Sequence, residues 1–229
     1  NLYHGHDGWL EANIRVESAD PFTLDDAVRS ICHDLTGEGP GRPARESVPW
    51  VVGQPVYEDG AGTRRALIRV SKRLLPGEAE EAALNALRHD ARMMTSPAAT
   101  LAVDVKVAED EQHLYTGRTV LVRHVSNAWT TDPFCPLVSR ARQALAAAGC
   151  TVRSGRWELG RLGMGTAGSL FLGEFDIPTI GYGPGEESQA HAADESVATA
   201  NLIEAVYGTA AVVYGLVGIP VCGWTADEI

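Results

Sequence analysis

Residues 8–18, GWLEANIRVES, alternate with a period of two, with Leu10, Ala12 and Ile14 on one side and Trp9, Glu11 and Asn13 on the other. Alternation of that length predicts a strand with one buried face, because successive side chains of an extended chain point to opposite sides. The segment that follows, DPFTLDDAVRSICHDLTG, predicts a helix. Thr23 stands before Leu24 as N-cap, Asp25 and Asp26 fall in the first turn, and Gly37 lies past the end. After the turn-rich EGPGRPARES come two β-rich runs, VPWVVGQPVY and TRRALIRVSKRL, joined across EDGAGT as a hairpin. PGEAEEAALNALRHDARMM (76–94) predicts a second helix, with Pro76 and three glutamates near its start and Arg88, His89 and Arg92 near its end. ATLAVDVKVAED (99–110) alternates again. Strand, helix, strand, strand, helix, strand assembles naturally as a two-layer sandwich of four strands and two helices.

From about residue 128 the pattern changes. DPFCPLVSRARQALAAAG predicts a helix ended by Gly149, CTVRSGRWEL a strand, MGTAGSLFLGEF a short helix, IPTIGYG a short apolar strand, and ESVATANLIEAVYGTAAVVYGLV a long final helix. Helices alternating with strands imply a mainly parallel sheet. Only two or three strands are available, so this part would leave a sheet edge and one face bare, which points to further material.

A chain of 229 residues that is 45% hydrophobic is expected to be a soluble globular protein of one large or two small domains. Its formal charge of −11 argues against nucleic acid and anionic membrane as partners, since phosphate binding needs clustered Lys and Arg. No membrane span is expected, because the longest apolar run is broken by Gly208, Gly215, Gly218 and Pro220. Cys32, Cys135, Cys150 and Cys222 form no C-x-x-C pair and read as reduced, buried thiols of a cytoplasmic protein.

Three stretches carry residues suited to chemistry. YHGHDG sets His4, His6 and Asp7 close together, but on a strand the two histidines share a face that Asp7 does not, so a strand-edge cluster is favoured over a metal site. GPGEESQAHAADE places His191 between a glycine-rich turn and a helix expected to begin near Asp194 or Glu195. Gly183 and Gly185 there would let the backbone approach a ligand at the end of the IPTIGYG strand. Asn127, Trp129 and Asp132 mark the junction of the two parts, with packing the favoured role for Trp129. G-x-S-x-G and the P-loop are absent.

Read together, several segments resemble the zinc metallopeptidase family of acetylornithine deacetylase, succinyl-diaminopimelate desuccinylase, aminoacylase and carboxypeptidase G. NLYHGHDGWLEANIRV looks like the entry to that family's inserted lid. ALIRVSKRLLPGEAEEAALNAL looks like its D-x-R-x-x-P-G-E stretch, and LYTGRTVLVRHVSNAWTTD like the return from the lid. The closing stretch, with Gly183, Pro184, Gly185, Ala190, His191 and Glu195 in order, looks like the context of the family's last metal-binding histidine. The resemblance implies an α/β (α+β) chain made of a ferredoxin-like lid over residues 1–125 and the C-terminal half of a zinc-peptidase domain over 126–229. It implies His191 as a metal ligand, and Arg73, Gly183 and Gly185 as substrate-binding positions. Arg73 would grip a carboxylate through two parallel hydrogen bonds. A plain surface arginine is an equal reading.

The departures are as informative. The family's H-x-D motif, bridging Asp, Glu-Glu pair and further acidic ligand all lie in an N-terminal half without a counterpart here, and one histidine cannot hold catalytic zinc. Ser71 replaces the Asp of D-x-R, and no histidine follows RVES. The expectation adopted is therefore a subunit of a split zinc-dependent amidohydrolase acting on an N-acyl amino acid or peptide-like amide. A partner chain would supply the general base and most ligands for one or two ions of zinc, cobalt or manganese. A catalytically inactive binding subunit and a fragment of a longer metallopeptidase remain the alternatives.

Overall fold

A computed structural model describes residues 2–36, 49–60, 62–93, 101–150, 160–162, 165–190 and 192–218. The chain folds as two compact units, one comprising Gly8–Asn127, the other Asn1–Asp7 together with Ala128–Ile229. We call them the inserted and the flanking unit. A single cut near 125 would place the first strand, β1 (Leu2–His6), in the inserted unit, whereas all its pairings are to strands of the flanking unit.

The inserted unit runs β2 (Gly8–Ser18), α1 (Pro21–Leu35), β3 (Val51–Val52), β4 (Val56–Asp59), β5 (Arg64–Leu74), α2 (Glu80–Met93), β6 (Ala102–Val107), β7 (Glu109–His113), β8 (Thr119–Arg123) and β9 (Val125–Ser126). Its sheet has the order β3-β5-β2-β6, with β4 on β5 and β9 on β2, every pair antiparallel. Taking β3 and β4 as one interrupted strand, this is the expected βαββαβ ferredoxin-like arrangement. The β2–β5 pair stays in register from Gly8↔Leu74 to Ser18↔Arg64. That register puts Leu10, Ala12, Ile14 and Val16 beside Ile68, Val70 and Leu74, under Leu24, Val28 and Ile31 of α1 and Leu84 and Leu87 of α2. The alternation read in the sequence is this buried face.

Two helix starts differ from expectation. Helix α1 is capped by Asp20, not Thr23. Its carboxylate accepts the Phe22 and Thr23 amides at 3.3 and 3.1 Å and also the Thr23 hydroxyl. Those bonds, the Thr23 hydroxyl first, hold the Asp20 carboxyl below its ordinary value. Helix α2 begins at Glu80 because Gly77 has a φ of 86°, a left-handed turn that no helix continues through. Glu78, expected in the first helical turn, instead pairs with Lys72 and accepts the Leu75 amide at 3.2 Å.

The flanking unit contains β1, β10 (Trp129–Thr130), α3 (Pro136–Ala147), β11 (Gly160–Leu162), α4 (Gly168–Gly173), β12 (Gly181–Tyr182), a single 3-10 turn (Glu187–Gln189) and α5 (Thr199–Val217). Strand β1 pairs antiparallel with β10 and β12 and parallel with β11. The expected mainly parallel sheet is thus not what the described residues form. Strand β1 leads out to the inserted unit and β10 leads back from it, and two such arms side by side run antiparallel. The expected CTVRSGRWEL strand spans 150–159, and all of it but Cys150 lies outside the described residues. Helix α3 ends as expected, with Gly149 at a φ of 68°.

Helix α5 begins at Thr199, four or five residues later than expected. By length and composition alone it could cross a bilayer, with a mean hydropathy of 1.4. Its glycines do not interrupt it, because Gly208 and Gly215 lie on the face packed towards α3. The smaller core joins Leu2, Val138, Ala141, Leu145, Cys150 and Val212.

The core assignment has a direct test. Ile14→Ala should lower stability by about 2–5 kcal/mol, while Arg15→Ala, on the exposed face, should stay within about 0.5 kcal/mol. Urea unfolding of the two variants checks this.

Candidate functional site

Strand β1 is central to its sheet, flanked by β10 and β11, so its histidines do not form the edge cluster expected. His6 is fully buried. Its Nδ1 donates to the Asp7 carbonyl at 2.6 Å, its Nε2 accepts from the Thr166 amide at 3.4 Å, and its ring meets Trp129 edge-on at 5.7 Å. Both nitrogens are therefore occupied within the protein. His4 is likewise engaged, Nδ1 donating to the Thr131 carbonyl at 3.0 Å. Trp129 is buried, as expected for a packing role, and donates from Nε1 to the Thr166 hydroxyl at 3.1 Å. Gly168 lies flat against its ring, where a Cβ would overlap the indole. Asp132 caps a turn by accepting the Phe134 amide at 2.9 Å, and Asn127 ends the inserted unit.

The loop carrying the glycines starts at β12. Tyr182, its last residue, lies with its hydroxyl against Gly208 of α5 and hydrogen-bonds Cys150. Burial, reinforced by the neighbouring Cys150 thiol, pushes the Tyr182 hydroxyl up to about 12. A Cβ at Gly183 or Gly185 would meet no atom within 4 Å, so packing among the described residues does not demand glycine at either place. From there the chain makes a run of turns, Gln189 N to Glu186 O at 3.0 Å, Ala192 N to Gln189 O at 3.1 Å and Glu195 N to Ala192 O at 3.2 Å. His191 lies outside the described residues. Among the described residues no group of three or more His, Cys, Asp and Glu could hold a metal ion. They do not by themselves fit the mono- or dinuclear site expected from the sequence.

Arg73 is exposed on β5, opposite Trp9 of β2, on the sheet face away from the helices. The same face holds a charged network that the sequence reading missed. Arg69 donates from Nε to Glu11 at 2.8 Å and from Nη2 to Asp110 at 2.9 Å, and Trp9 Nε1 donates to Glu11 at 3.1 Å. His124 Nε2 comes within 2.8 Å of Asp110 without the alignment of a hydrogen bond. The Arg69 hydrogen bond holds the Asp110 carboxyl below its ordinary value. Period-two spacing already put Glu11 on the face opposite Leu10, Ala12 and Ile14, but Arg69, Asp110 and His124 arrive from distant segments. On the helix side of the sheet the Lys72–Glu78 pair is mostly buried, with the Lys72 ammonium 5.8 Å over the Trp50 ring. A separate cavity of about 470 Å³ is lined by Asp25, Val28, Arg29, Cys32, Tyr57 and Arg64 among others.

Comparison with known proteins sets this geometry in context. No protein-family model matches the sequence, and no curated protein matches it. Solved structures match nearly its whole length. The dipeptidase Dug1p of Saccharomyces cerevisiae shares 14% identity, covering 96% of this chain and 56% of its own, with a TM-score of 0.59. The aminopeptidase PepT of Bacillus cereus shares 12%, covering 94% and 54%, with a TM-score of 0.62. YxeP of Bacillus subtilis, described as a dinuclear metal-binding peptidase of the M20 family, shares 14%, covering 99% and 52%, with a TM-score of 0.60. The fold is that of part of an M20-type metallopeptidase. The chain spans about half the length of the structures it matches.

The Tyr182 anchor gives a pH test. Its raised value means that the folded chain keeps a proton the unfolded chain loses near 10, so its contribution is complete below pH 10 and is lost as pH rises through about 12. Between those values the Tm of the wild type should fall more steeply than that of Tyr182→Phe, as read by thermal melts in alkaline buffers.

Proposed function

We propose that the chain is one half of a split metal-dependent amidohydrolase, cytoplasmic, with a second polypeptide supplying the rest of the catalytic domain. One observation carries the metallopeptidase part of the reading: the fold matches solved M20-type peptidases over nearly the whole of this chain. The peptidase neighbours favour a small amide substrate, and the motif resemblance narrows it to an N-acyl amino acid or peptide-like amide of the acetylornithine deacetylase and aminoacylase type. Free thiols at Cys32, Cys135 and Cys150 suit a reducing compartment.

In this reading His191 contributes one ligand, and the partner contributes the acidic ligands and the general base. Zinc is the favoured ion, with cobalt or manganese as alternatives for a His and carboxylate site. A bound ion would supply Lewis-acid chemistry and a reactive water. The roles left to this chain are binding and orientation. Arg73 would hold a substrate carboxylate, a geometry that guanidinium matches with two hydrogen bonds. Gly183 and Gly185, free of packing demands, would leave room for substrate beside the loop.

A second reading, an inactive binding subunit, is favoured by specific departures. Ser71 stands where the family motif has Asp, and after RVES the chain runs into Asp20, which is used as a helix cap.

The test is made on the assembly purified from the natural host through a tag on this chain. Metal analysis should find about one or two ions per complex, and His191→Ala should cut bound metal and hydrolysis of a panel of N-acyl amino acids by about 100-fold. Arg73→Ala should raise KM by about tenfold with little change in kcat. A metal-free assembly without amidase activity would select the inactive-subunit reading.

A further inference from the structure

The cavity of about 470 Å³ lies wholly within the inserted unit, where α1 meets β4. Helix α1 lines it with Asp25, Val28, Arg29 and Cys32, whose spacing puts them on one side of the helix. Tyr57 of β4, the preceding Pro55 and Arg64, the first residue of β5, complete the lining. Two guanidiniums in this lining are short of partners. Arg64 stands in the row of β5 residues that faces the helices, two before Ala66 and four before Ile68 of the core. A charge in that row is costly unless it is paired and hydrogen-bonded. The Arg64 guanidinium lies 4.9 Å over the Tyr57 ring, but its ion pairs are loose. Its Nη1 is 3.9 Å from Asp25, and its Nε, 3.3 Å from Asp59, is buried without an aligned hydrogen bond. Arg29 is exposed and makes no hydrogen bond or ion pair among the described residues. Asp25, one turn before it, takes the Tyr57 hydroxyl instead.

We infer that this cavity binds a small organic acid, one carboxylate on an apolar body, through Arg29 and Arg64. A guanidinium matches a carboxylate with two parallel hydrogen bonds, and both arginines have donors to give. Val28, Pro55 and the Tyr57 ring offer apolar wall. A few polar groups set in apolar wall, around a space of roughly 300–1,000 Å³, is the usual make-up of a small-molecule site. Charge selects the class of ligand. Within the lining two guanidiniums stand against one carboxylate, that of Asp25, which leaves a place for one negative charge. Burial pushes the Cys32 thiol up, so it adds no charge at neutral pH. A phosphate dianion would bring a second negative charge beside Asp25, and it has no apolar part for Val28 and Pro55 to cover. The site does not rest on the enzyme reading above. Arg73, the proposed substrate-binding arginine, lies on the other face of the same sheet, so mutation separates the two.

The experiment uses the protein purified from its natural host through a tag on this chain, with benzoate as the probe. Cys32 reports occupancy through its rate of alkylation by iodoacetamide, followed by mass spectrometry, with Cys135 of the flanking unit as control. A ligand of this size is expected to bind with a Kd of about 1 mM. At about ten times that concentration it should slow Cys32 about tenfold and leave Cys135 unchanged. Benzyl alcohol and inorganic phosphate should slow neither. Arg29→Gln should abolish the protection without moving the Tm, since Arg29 holds no bond among the described residues. Arg64→Lys keeps the charge but not the fork, and should weaken binding about tenfold. Arg73→Ala should leave the protection intact. Calorimetric titration with benzoate, which needs no thiol, should rank the variants in the same order. Three results would overturn the site: no saturable binding of benzoate, equal protection by phosphate or benzyl alcohol, or binding that survives Arg29→Gln and is lost in Arg73→Ala. None of these readouts depends on bound metal or amide hydrolysis, so the site and the enzyme reading fail separately.

Discussion

The flanking unit hangs on the seam between α5 and its underside. Small residues at 205, 208, 211 and 215 let the helix settle closely onto α3 and the Tyr182 ring. That approach fixes the end of β12, and with it the start of the glycine-rich loop that leads to His191. It also explains why glycines that would weaken a free helix are tolerated here. The cost of each, about 1 kcal/mol, is offset by contacts that a larger side chain would forbid. The same seam covers only one side of the helix.

The inserted unit contrasts with it. Its sheet has helices over one face and a network of paired charges over the other, so the polar surface is solvated and the core is closed. The two units thus differ in what their outer surfaces carry: paired charges over the open sheet face of the one, exposed apolar side chains along α5 in the other.

How far the sequence revealed this depends on how local each signal is. The alternation of residues 8–18 foretold β2 and its buried side, and Gly149 marked the end of α3. Side-chain competition for a cap was not legible. Thr23 and Asp20 both suit an N-cap, and the Asp20 carboxylate wins by taking two amides and the Thr23 hydroxyl itself. The left-handed turn at Gly77 moved α2 by several residues, because PGE reads equally well as a helix start. Strand directions in the flanking unit were misjudged, since β1 is separated from its partners by the whole inserted unit. Of the candidate site, Arg73 is named by its motif and is exposed on β5. His191, outside the described residues, rests on its motif. The Glu11, Arg69, Asp110 and His124 network needed three-dimensional contact to be seen.

The account stands or falls on whether this chain exists in the cell as one part of a two-polypeptide enzyme. Native mass spectrometry of the endogenous protein, released from a mild tag purification without cross-linking, reads that directly. A single heteromeric species with this chain and one larger-than-peptide partner in equal number, plus the added mass of one or two metal ions, is the predicted spectrum. A chain that flies alone, or only with copies of itself, would contradict it.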